Sequence, residues 1–167
     1  GREMRKTIIG IMGGCAADES ALQLAYNIGK LVAENGWTLL NGGRSTGIMD
    51  ASAKGAKEAG GTTIGVLFED DRNQGSEYLD FVLPTGMGAG RNIINVLSSD
   101  VVIACPGSGG TMSEIAMALR VDRPVVLLGF DPGEDFLDRC GNGKWKLAST
   151  AEEAVLFAKE FLTELGR

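Results

Sequence analysis

The sequence predicts a doubly wound α/β fold built on a parallel sheet. The run Val-Val-Ile-Ala-Cys at 101–105 is uninterrupted by charge, which is typical of a strand buried on both faces. Similar apolar runs alternate with segments of helical period, and glycine-rich turns follow several of them. The predicted fold is therefore Rossmann-like, and we expect all 167 residues to form a single domain.

Apolar runs define the predicted strands, and amphipathic or alanine-rich segments define the predicted helices. The first helix carries Leu22, Ala25 and Ile28 on one face and ends at the capping pair Asn35-Gly36. The predicted strands cover 7–12, 37–40, 63–67, 81–83, 101–105 and 124–128, and the predicted helices cover 18–35, 48–59, 91–98, 111–120 and 149–165.

The connections are predicted from turn-forming residues. Segment 84–90 is expected to be a flexible connection. Segment 130–145 is expected to be irregular because it contains the turn sequences Asp-Pro-Gly and Gly-Asn-Gly. The pair Ser149 and Glu152 has the spacing of a capping box for the last helix.

Composition excludes several classes of function. The net charge of −6, without a strong basic patch, argues against nucleic acid as a partner. No segment has the length and hydropathy of a membrane span or a signal peptide, so we expect no membrane partner. The three cysteines are widely spaced, which fits the reducing cytoplasm. Residues 1–3 precede Met4 and are interpreted as a remnant of cloning.

The absence of histidine narrows the chemistry further. The chain contains no histidine, which excludes Ser–His and Cys–His catalysis and argues against a zinc site. We therefore expect no metal site and no required cofactor. Any reaction has to use carboxylates, Arg, Lys, Tyr, Ser, Thr, Cys or the backbone.

The segment 106–114, Pro-Gly-Ser-Gly-Gly-Thr-Met-Ser-Glu, is the clearest functional signal. It follows a buried strand and opens a helix, and small residues at that point let an anion reach the free N–H groups of the first helical turn. The segment lacks the P-loop sequence, which disfavours magnesium-dependent hydrolysis of a nucleoside triphosphate. A tight turn without a ligand is the alternative. The candidate phosphate-binding residues are Gly107, Ser108, Gly109, Gly110 and Thr111.

Two further glycine pairs follow predicted strands. Gly13-Gly14 comes after the first strand, and Gly42-Gly43 comes after the second. In a doubly wound sheet these turns and the 106–114 segment open at the same carboxyl edge, where such folds bind ligands. Three glycine-rich turns on one edge indicate a single site of nucleotide size, and these four glycines join the candidate ligand-binding residues.

Glu114 and Arg91 are the candidate catalytic residues. Glu114 lies one turn into the helix, beside the expected ligand, but Thr111 and Glu114 also have the spacing of a capping box. Arg91 precedes the predicted strand at 101–105. It is either a surface residue or a residue whose planar guanidinium binds a phosphate or carboxylate. Arg44 is interpreted as solvated, and Cys15, which lacks a histidine partner, is interpreted as a packing residue.

At these residues the chain resembles the LONELY GUY (LOG) and molybdenum-cofactor carrier group. The LOG hallmark P-G-G-x-G-T-x-x-E is matched by segment 106–114, with Ser108 in place of the second glycine. The second signature is matched by Gly42-Gly43 and by Gly-Ile-Met at 47–49. Arg91 stands at the family's distance before Pro106, and the resemblance extends from the first strand to about residue 128.

The resemblance implies a Rossmann-like homodimer or larger homo-oligomer that binds a small phosphorylated ligand. LOG enzymes cleave the N-glycosidic bond of a nucleoside 5′-monophosphate, and Arg91 and Glu114 match their catalytic pair. Members of the carrier branch bind molybdopterin, a phosphorylated pterin, without reacting with it. Asn92 stands where LOG enzymes commonly have Lys, and Arg44 where they usually have a third Gly, so AMP-like nucleotides and molybdopterin both remain candidate ligands.

Overall fold

The computed structural model describes residues 5–141 and 143–167. The interpretation of residues 1–3 lies outside these described residues. Within them, seven parallel strands form one sheet in the order β4-β3-β2-β1-β5-β6-β7. The strands are β1 (Ile8–Met12), β2 (Thr38–Asn41), β3 (Thr63–Leu67), β4 (Phe81–Pro84), β5 (Val101–Ala104), β6 (Val125–Leu128) and β7 (Trp145–Ala148).

Helices cover both faces of this sheet. They are α1 (Glu19–Glu34), α2 (Gly47–Glu58), α3 (Asn92–Leu97), α4 (Gly109–Arg120), α5 (Glu134–Cys140) and α6 (Ala151–Glu164). Alternate residues of β5 enter the two cores: Ile103 packs with α1, α2 and α6, whereas Val102 packs with α3, α4 and α5. The prediction of a doubly wound, Rossmann-like α/β fold is confirmed.

The strand order places a topological switch point between β1 and β5. The chain moves outward from β1 to β4, then returns to pair β5 with the free side of β1 and continues to β7. Loops that leave neighbouring strands in opposite directions open a crevice at the carboxyl edge of the sheet, which is where ligands bind in such folds. The loop after β1 and the 106–114 segment border this crevice.

Helices α1 and α2 pack with their backbones in contact. A Cβ added to Gly29 would lie 2.0 Å from the carbonyl oxygen of Ser52, and one added to Gly55 would lie 2.1 Å from the carbonyl oxygen of Tyr26. Only glycine fits at either position, because real Cβ atoms do not approach backbone atoms so closely. The loops that lead into these two helices are therefore carried by one tightly packed pair of helices.

The predicted ends of the first helix are confirmed. Asp18 caps its N-terminus by accepting a hydrogen bond from the Ala21 N–H, and Asn35 is the C-cap. Gly36 follows with φ +73°, a left-handed conformation that favours glycine.

Several boundaries were wrong. Segment 130–145 is not irregular throughout, because it contains α5 and the first residue of β7. Segment 84–90 includes the end of β4 and most of a 3₁₀ helix, Gly88–Arg91. The last helix is capped by the Thr150 hydroxyl, which accepts from the Glu153 N–H, while the Glu153 carboxylate accepts from the Ser149 N–H. The capping box is thus shifted by one residue from the predicted pair.

In the parts of the chain that the structure describes, every helix is too short or too polar to cross a bilayer.

Candidate functional site

The three glycine-rich loops meet at one cleft of about 200 Å³ at the carboxyl edge of the sheet. Most of the predicted site residues line it. They come from the loops after β1, β2 and β5, from the 3₁₀ helix before α3 and from α4: Gly13, Gly14, Gly42, Arg91, Ser108, Gly110, Thr111 and Glu114. Gly43, Gly107 and Gly109 do not line this cleft. Gly107 borders the crevice next to it, and Gly43 is buried behind it with φ +78°.

The N-terminus of α4 has unused hydrogen-bond donors. The first backbone N–H of this end that donates within the protein is that of Met112, to the Ser108 carbonyl oxygen. Among the described residues, the N–H groups of Gly109, Gly110 and Thr111 have no acceptor, and no side chain caps the helix. Helix N-termini of this kind carry partial positive charge and are good anion sites.

The interpretation of Thr111 and Glu114 as a capping box for α4 is wrong. Because α4 begins at Gly109, Thr111 is its third residue and not its N-cap. The Glu114 carboxylate accepts a long hydrogen bond, 3.5 Å, from Asn95 Nδ2 and does not return to the start of the helix.

Gly107 is required for the loop to close. A Cβ added there would lie 2.1 Å from Thr111 Oγ1 and 2.9 Å from the Gly14 nitrogen. The Gly14 N–H donates to the Pro106 carbonyl oxygen at 3.0 Å, which joins the β1 and β5 loops. The glycine therefore lets two loops and a helix approach one another at the base of the site.

Arg91 is a buried cation without an acidic partner. Arg91 is only 7% exposed, and among the described residues no carboxylate oxygen lies within 4 Å of its guanidinium. Its Nη1 donates to Asn92 Oδ1 at 2.9 Å, and its Nε has no acceptor in the part of the chain that the structure describes. Burial lowers the pKa of Arg91, and the nearby Glu114 opposes this shift.

Hydrogen bonds connect Arg91 to the first turn of α4. Asn92 Nδ2 donates to Ser113 Oγ at 3.3 Å, and Ser113 Oγ donates to the Gly110 carbonyl oxygen at 2.6 Å. Sequence reasoning assigned no role to Ser113, and it treated Asn92 only as a departure from the enzymes. The position of Asn92 next to Arg91 was a signal that the sequence contains. The sequence does not show that the Asn92 side-chain amide contacts both Arg91 and Ser113.

Glu114 is a buried acid. It is 6% exposed, and burial raises its pKa to about 7, while Arg91 and Asn95 act in the opposite direction. A carboxyl with this pKa exchanges its proton near neutral pH, which is a property that general acids and bases require.

We expect Glu114→Gln to remove a pH dependence of stability. The folded pKa of Glu114 lies above its usual value of 4.5, so its contribution is fully present below pH 4.5 and is lost as the pH rises through about 7. The loss amounts to about 3 kcal/mol, because a tenfold change in proton affinity corresponds to about 1.4 kcal/mol. Denaturant unfolding of wild type and variant between pH 4 and 8 measures it, with the exposed Glu152→Gln as control. Equal slopes in wild type and Glu114→Gln would contradict this role.

Arg44 is not simply solvated, and Cys15 is not a packing residue. Arg44 forms an ion pair with Glu69 at 3.0 Å and lies over the Phe68 ring, 5.4 Å from its centre. Its Nη1 also donates to Cys15 Sγ at 3.4 Å, and Cys15 is exposed at the edge of the cleft. Both residues, with Phe68, belong to the wall of the site.

A second, wider crevice adjoins the cleft. It has a volume of about 630 Å³ and lies between the first turn of α1 and the loop before α4. It shares Gly14, Cys15 and Ser108 with the cleft. The two spaces form one continuous depression at the switch point.

The fold and this depression define a Rossmann-like α/β protein with its candidate site at the carboxyl edge of the sheet. The chain belongs to the SLOG cluster4 family, whose model matches residues 6–157. The resemblance to the LOG and molybdenum-cofactor carrier group is confirmed.

Two solved structures are similar over nearly the whole chain. The molybdenum cofactor binding protein from Rippkaea orientalis is 44% identical with a TM-score of 0.90, covering 95% of this chain and 99% of its own. The molybdenum cofactor carrier protein from Chlamydomonas reinhardtii is 43% identical with a TM-score of 0.88, at the same coverage. A cytokinin riboside 5′-monophosphate phosphoribohydrolase from Mycobacterium tuberculosis is 32% identical over 133 residues, which are 73% of this chain and 70% of the relative.

Proposed function

We propose that this protein binds a phosphorylated pterin of the molybdopterin type and carries it without cleaving it. The observation that carries the proposal is that Gly110 and Thr111, two of the three α4 residues with unused backbone amides, line the same cleft as Arg91, a buried guanidinium that has no carboxylate oxygen within 4 Å among the described residues. A buried unpaired charge is costly, and an anionic ligand removes that cost. The ligand is therefore expected to supply the missing negative charge.

The phosphate is assigned to the first turn of α4. The amides of Gly109, Gly110 and Thr111 would donate to its oxygens, and a doubly charged group gains most from the helix N-terminus. The Arg91 guanidinium, which lines the same cleft, would supply further positive charge to the phosphate. Around them, a wall without bulky side chains would be formed by Gly13, Gly14, Gly42 and Ser108. Gly43 would shape the loop after β2 from behind, and Gly107 would border the adjoining crevice.

The proposal of a carrier rather than a hydrolase is supported by the two similar structures and by the contacts of Arg91. One is a molybdenum cofactor binding protein and the other a molybdenum cofactor carrier protein, and each matches almost the full chain at 43–44% identity. In the site itself, the Arg91 guanidinium is held by Asn92 and not by the Glu114 carboxylate. The two residues that match the catalytic pair of the enzymes are therefore not joined to each other.

A nucleoside 5′-monophosphate phosphoribohydrolase is the second candidate. It is favoured by Glu114, whose pKa of about 7 suits a group that stabilises an oxocarbenium-like ribose or passes a proton to water. In that case Arg91 and Glu114 would be the catalytic residues and the ligand would be AMP-like.

Two assays on the same protein separate the candidates. The first mixes it with the molybdenum cofactor and measures the pterin that stays bound through gel filtration. The second incubates it with AMP and other nucleoside monophosphates and measures free base by chromatography. We expect retained pterin and no base. Base release that Glu114→Ala abolishes, with the fold intact, would replace the carrier by the hydrolase.

Variants of the cleft test the placement of the phosphate. Arg91→Ala is expected to reduce retention of the pterin, because it removes the buried guanidinium from the cleft. Thr111→Ala is expected to reduce retention less, because it changes the side chain of a cleft residue but keeps the backbone N–H. Arg120→Ala is the matched control, because Arg120 is exposed in the last turn of the same helix. Unchanged retention in both cleft variants would remove the phosphate from this position.

The single domain, the homo-oligomer and the cytoplasmic location remain proposals from composition and resemblance. Size-exclusion chromatography with light scattering is expected to give a mass of at least twice the 17.5 kDa chain.

A further inference from the structure

Glu114 is a buried carboxyl group that the proposed carrier function does not use. It lines the cleft about one turn after the amides assigned to the phosphate, and it is 6% exposed. An ionised carboxylate repels an anionic ligand, and the repulsion is strong where water is excluded. A cleft that binds an anion beside this residue therefore works best when the carboxyl is neutral.

The contacts of Glu114 stabilise its ionised form poorly. Its Oε2 accepts a hydrogen bond from Asn95 Nδ2 at 3.5 Å, which is long for a carboxylate acceptor. The Arg91 guanidinium lies more than 4 Å from the carboxylate and donates to Asn92 instead. Burial accordingly raises the pKa of Glu114 to about 7, although Arg91 and Asn95 act against this shift.

Asn95 has a hydrogen-bonding group for each protonation state of Glu114. It is fully buried on α3, and its Oδ1 has no hydrogen-bond partner among the described residues. Buried polar atoms are rarely left unpaired in folded proteins. Since a half-turn of an amide exchanges its donor and its acceptor, Oδ1 could accept the proton of a neutral Glu114 where Nδ2 now meets the carboxylate. The unpaired oxygen is thus a geometric observation that a neutral Glu114 would satisfy.

Arg91 is the cation that Glu114 would share with a ligand. Of the elements packed against α4, three contain no ionisable residue, namely α3, β5 and β6. The other ionisable residues of α4, α5 and the end of β5 are exposed, half-buried or in the opposite core: Arg120, Glu134, Asp135, Asp138, Arg139, Cys140 and Cys105. The cleft also contains Cys15 and Arg44, but Arg44 is paired with Glu69 at 3.0 Å.

We propose that capture of the anionic ligand is coupled to the uptake of one proton by Glu114, and that the ligand is released when Glu114 ionises. This inference rests on the proposed carrier function. The proton comes from the solvent and adds to a carboxylate oxygen, and no other bond forms or breaks. Neutral Glu114 leaves the Arg91 guanidinium to the ligand. Ionised Glu114 repels the ligand and competes with it for Arg91.

The coupling makes the affinity fall as the pH rises. A bound anion raises the pKa of Glu114 further, because a nearby like charge disfavours ionisation. The complex then keeps a proton that the free protein loses above about pH 7, so binding weakens above this pH and not below it. Each further unit of pKa shift corresponds to about a ten-fold change in affinity. We expect this coupling to weaken binding about ten-fold between pH 6 and 8.5.

The test compares wild type with Glu114→Gln, which is neutral at every pH. Binding of the molybdenum cofactor is measured without oxygen by equilibrium gel filtration at several pH values from 6 to 8.5. Bound pterin is quantified by fluorescence after oxidation, and circular dichroism checks the fold. Protonation of the ligand itself is common to both proteins, so the ratio of the two dissociation constants isolates Glu114. The ratio of wild type to variant is expected to rise about ten-fold over this range. Glu152→Gln, exposed on α6, is the matched control, and its ratio is expected to stay constant.

Proton uptake is measured separately with a pH-indicator dye in weakly buffered solution at pH 7.5. Wild type is expected to take up about 0.5–1 proton more per bound cofactor than Glu114→Gln.

The outcomes separate this inference from the carrier function. A constant ratio of dissociation constants, with both proteins binding the cofactor, overturns the proton coupling while the carrier function stands. Equal proton uptake by the two proteins does the same, and so does a folded Glu114→Gln that fails to bind at pH 6. Wild type that binds the cofactor at no pH removes the carrier function itself, and the inference with it.

Discussion

Replacing Gly107 by alanine is expected to abolish retention of the pterin and to lower the free energy of unfolding by roughly 1–3 kcal/mol, the usual cost of overpacking. The new methyl group would lie 2.1 Å from Thr111 Oγ1 and 2.9 Å from the Gly14 nitrogen. The side chain of Thr111 is buried and the second atom belongs to the backbone, so neither contact is relieved without moving the loop. Denaturant unfolding and gel-filtration retention measure the two effects.

Gly110→Ala gives the matched comparison. A Cβ at Gly110 meets no atom within 4 Å, and the residue is helical, so stability is expected to stay equal or to rise by up to about 1 kcal/mol. Because Gly110 lines the cleft, its methyl group would still occupy space assigned to the phosphate. Gly109→Ala is the control, because it keeps the backbone N–H that is assigned to the phosphate and adds its methyl group in equally open surroundings outside the cleft. Full retention in Gly110→Ala would contradict the assigned phosphate position.

Arg91→Met is expected to weaken retention about 10- to 100-fold and, at the same time, to stabilise the ligand-free protein by about 1 kcal/mol. Charge-assisted hydrogen bonds contribute about 1.5–3 kcal/mol, which corresponds to that range of affinity. The gain in stability follows because an apolar side chain of similar length replaces a buried charge that, among the described residues, has no carboxylate oxygen within 4 Å. Opposite changes in binding and stability are typical of a residue kept for function.

Arg120→Met is the control for this prediction, since it removes the same charge from an exposed position on α4. Thermal unfolding without ligand and retention of the pterin are measured for both variants. A destabilised Arg91→Met that binds normally would assign Arg91 a structural role.

The central part of the fold could be predicted because its signals are local. The apolar run of β5 and the caps of α1 follow from the residues that form them. The structure of segment 130–145 was harder to predict. The seven residues of α5 are too few to show a clear helical period, and they lie between two turn sequences. Among the described strands, β7 pairs with β6 alone, at the edge of the sheet, and its exposed positions weaken the apolar pattern.

The candidate site could be predicted in position more than in detail. Three glycine-rich turns after parallel strands have to meet at one edge, and they do so in the structure. The partners of Arg44 could not be predicted, because Cys15 and Glu69 are 29 and 25 residues away in the chain. The capping interpretation of Glu114 failed for a related reason. Spacing alone does not show that the helix begins two residues before Thr111.

The contact between α1 and α2 has a consequence for how fast a ligand is captured. Gly29 and Gly55 lock these helices together, and the loops before them carry the cleft residues Gly14 and Gly42. Capture would then proceed without a slow rearrangement, and rapid-mixing experiments should show one phase whose rate constant increases linearly with pterin concentration.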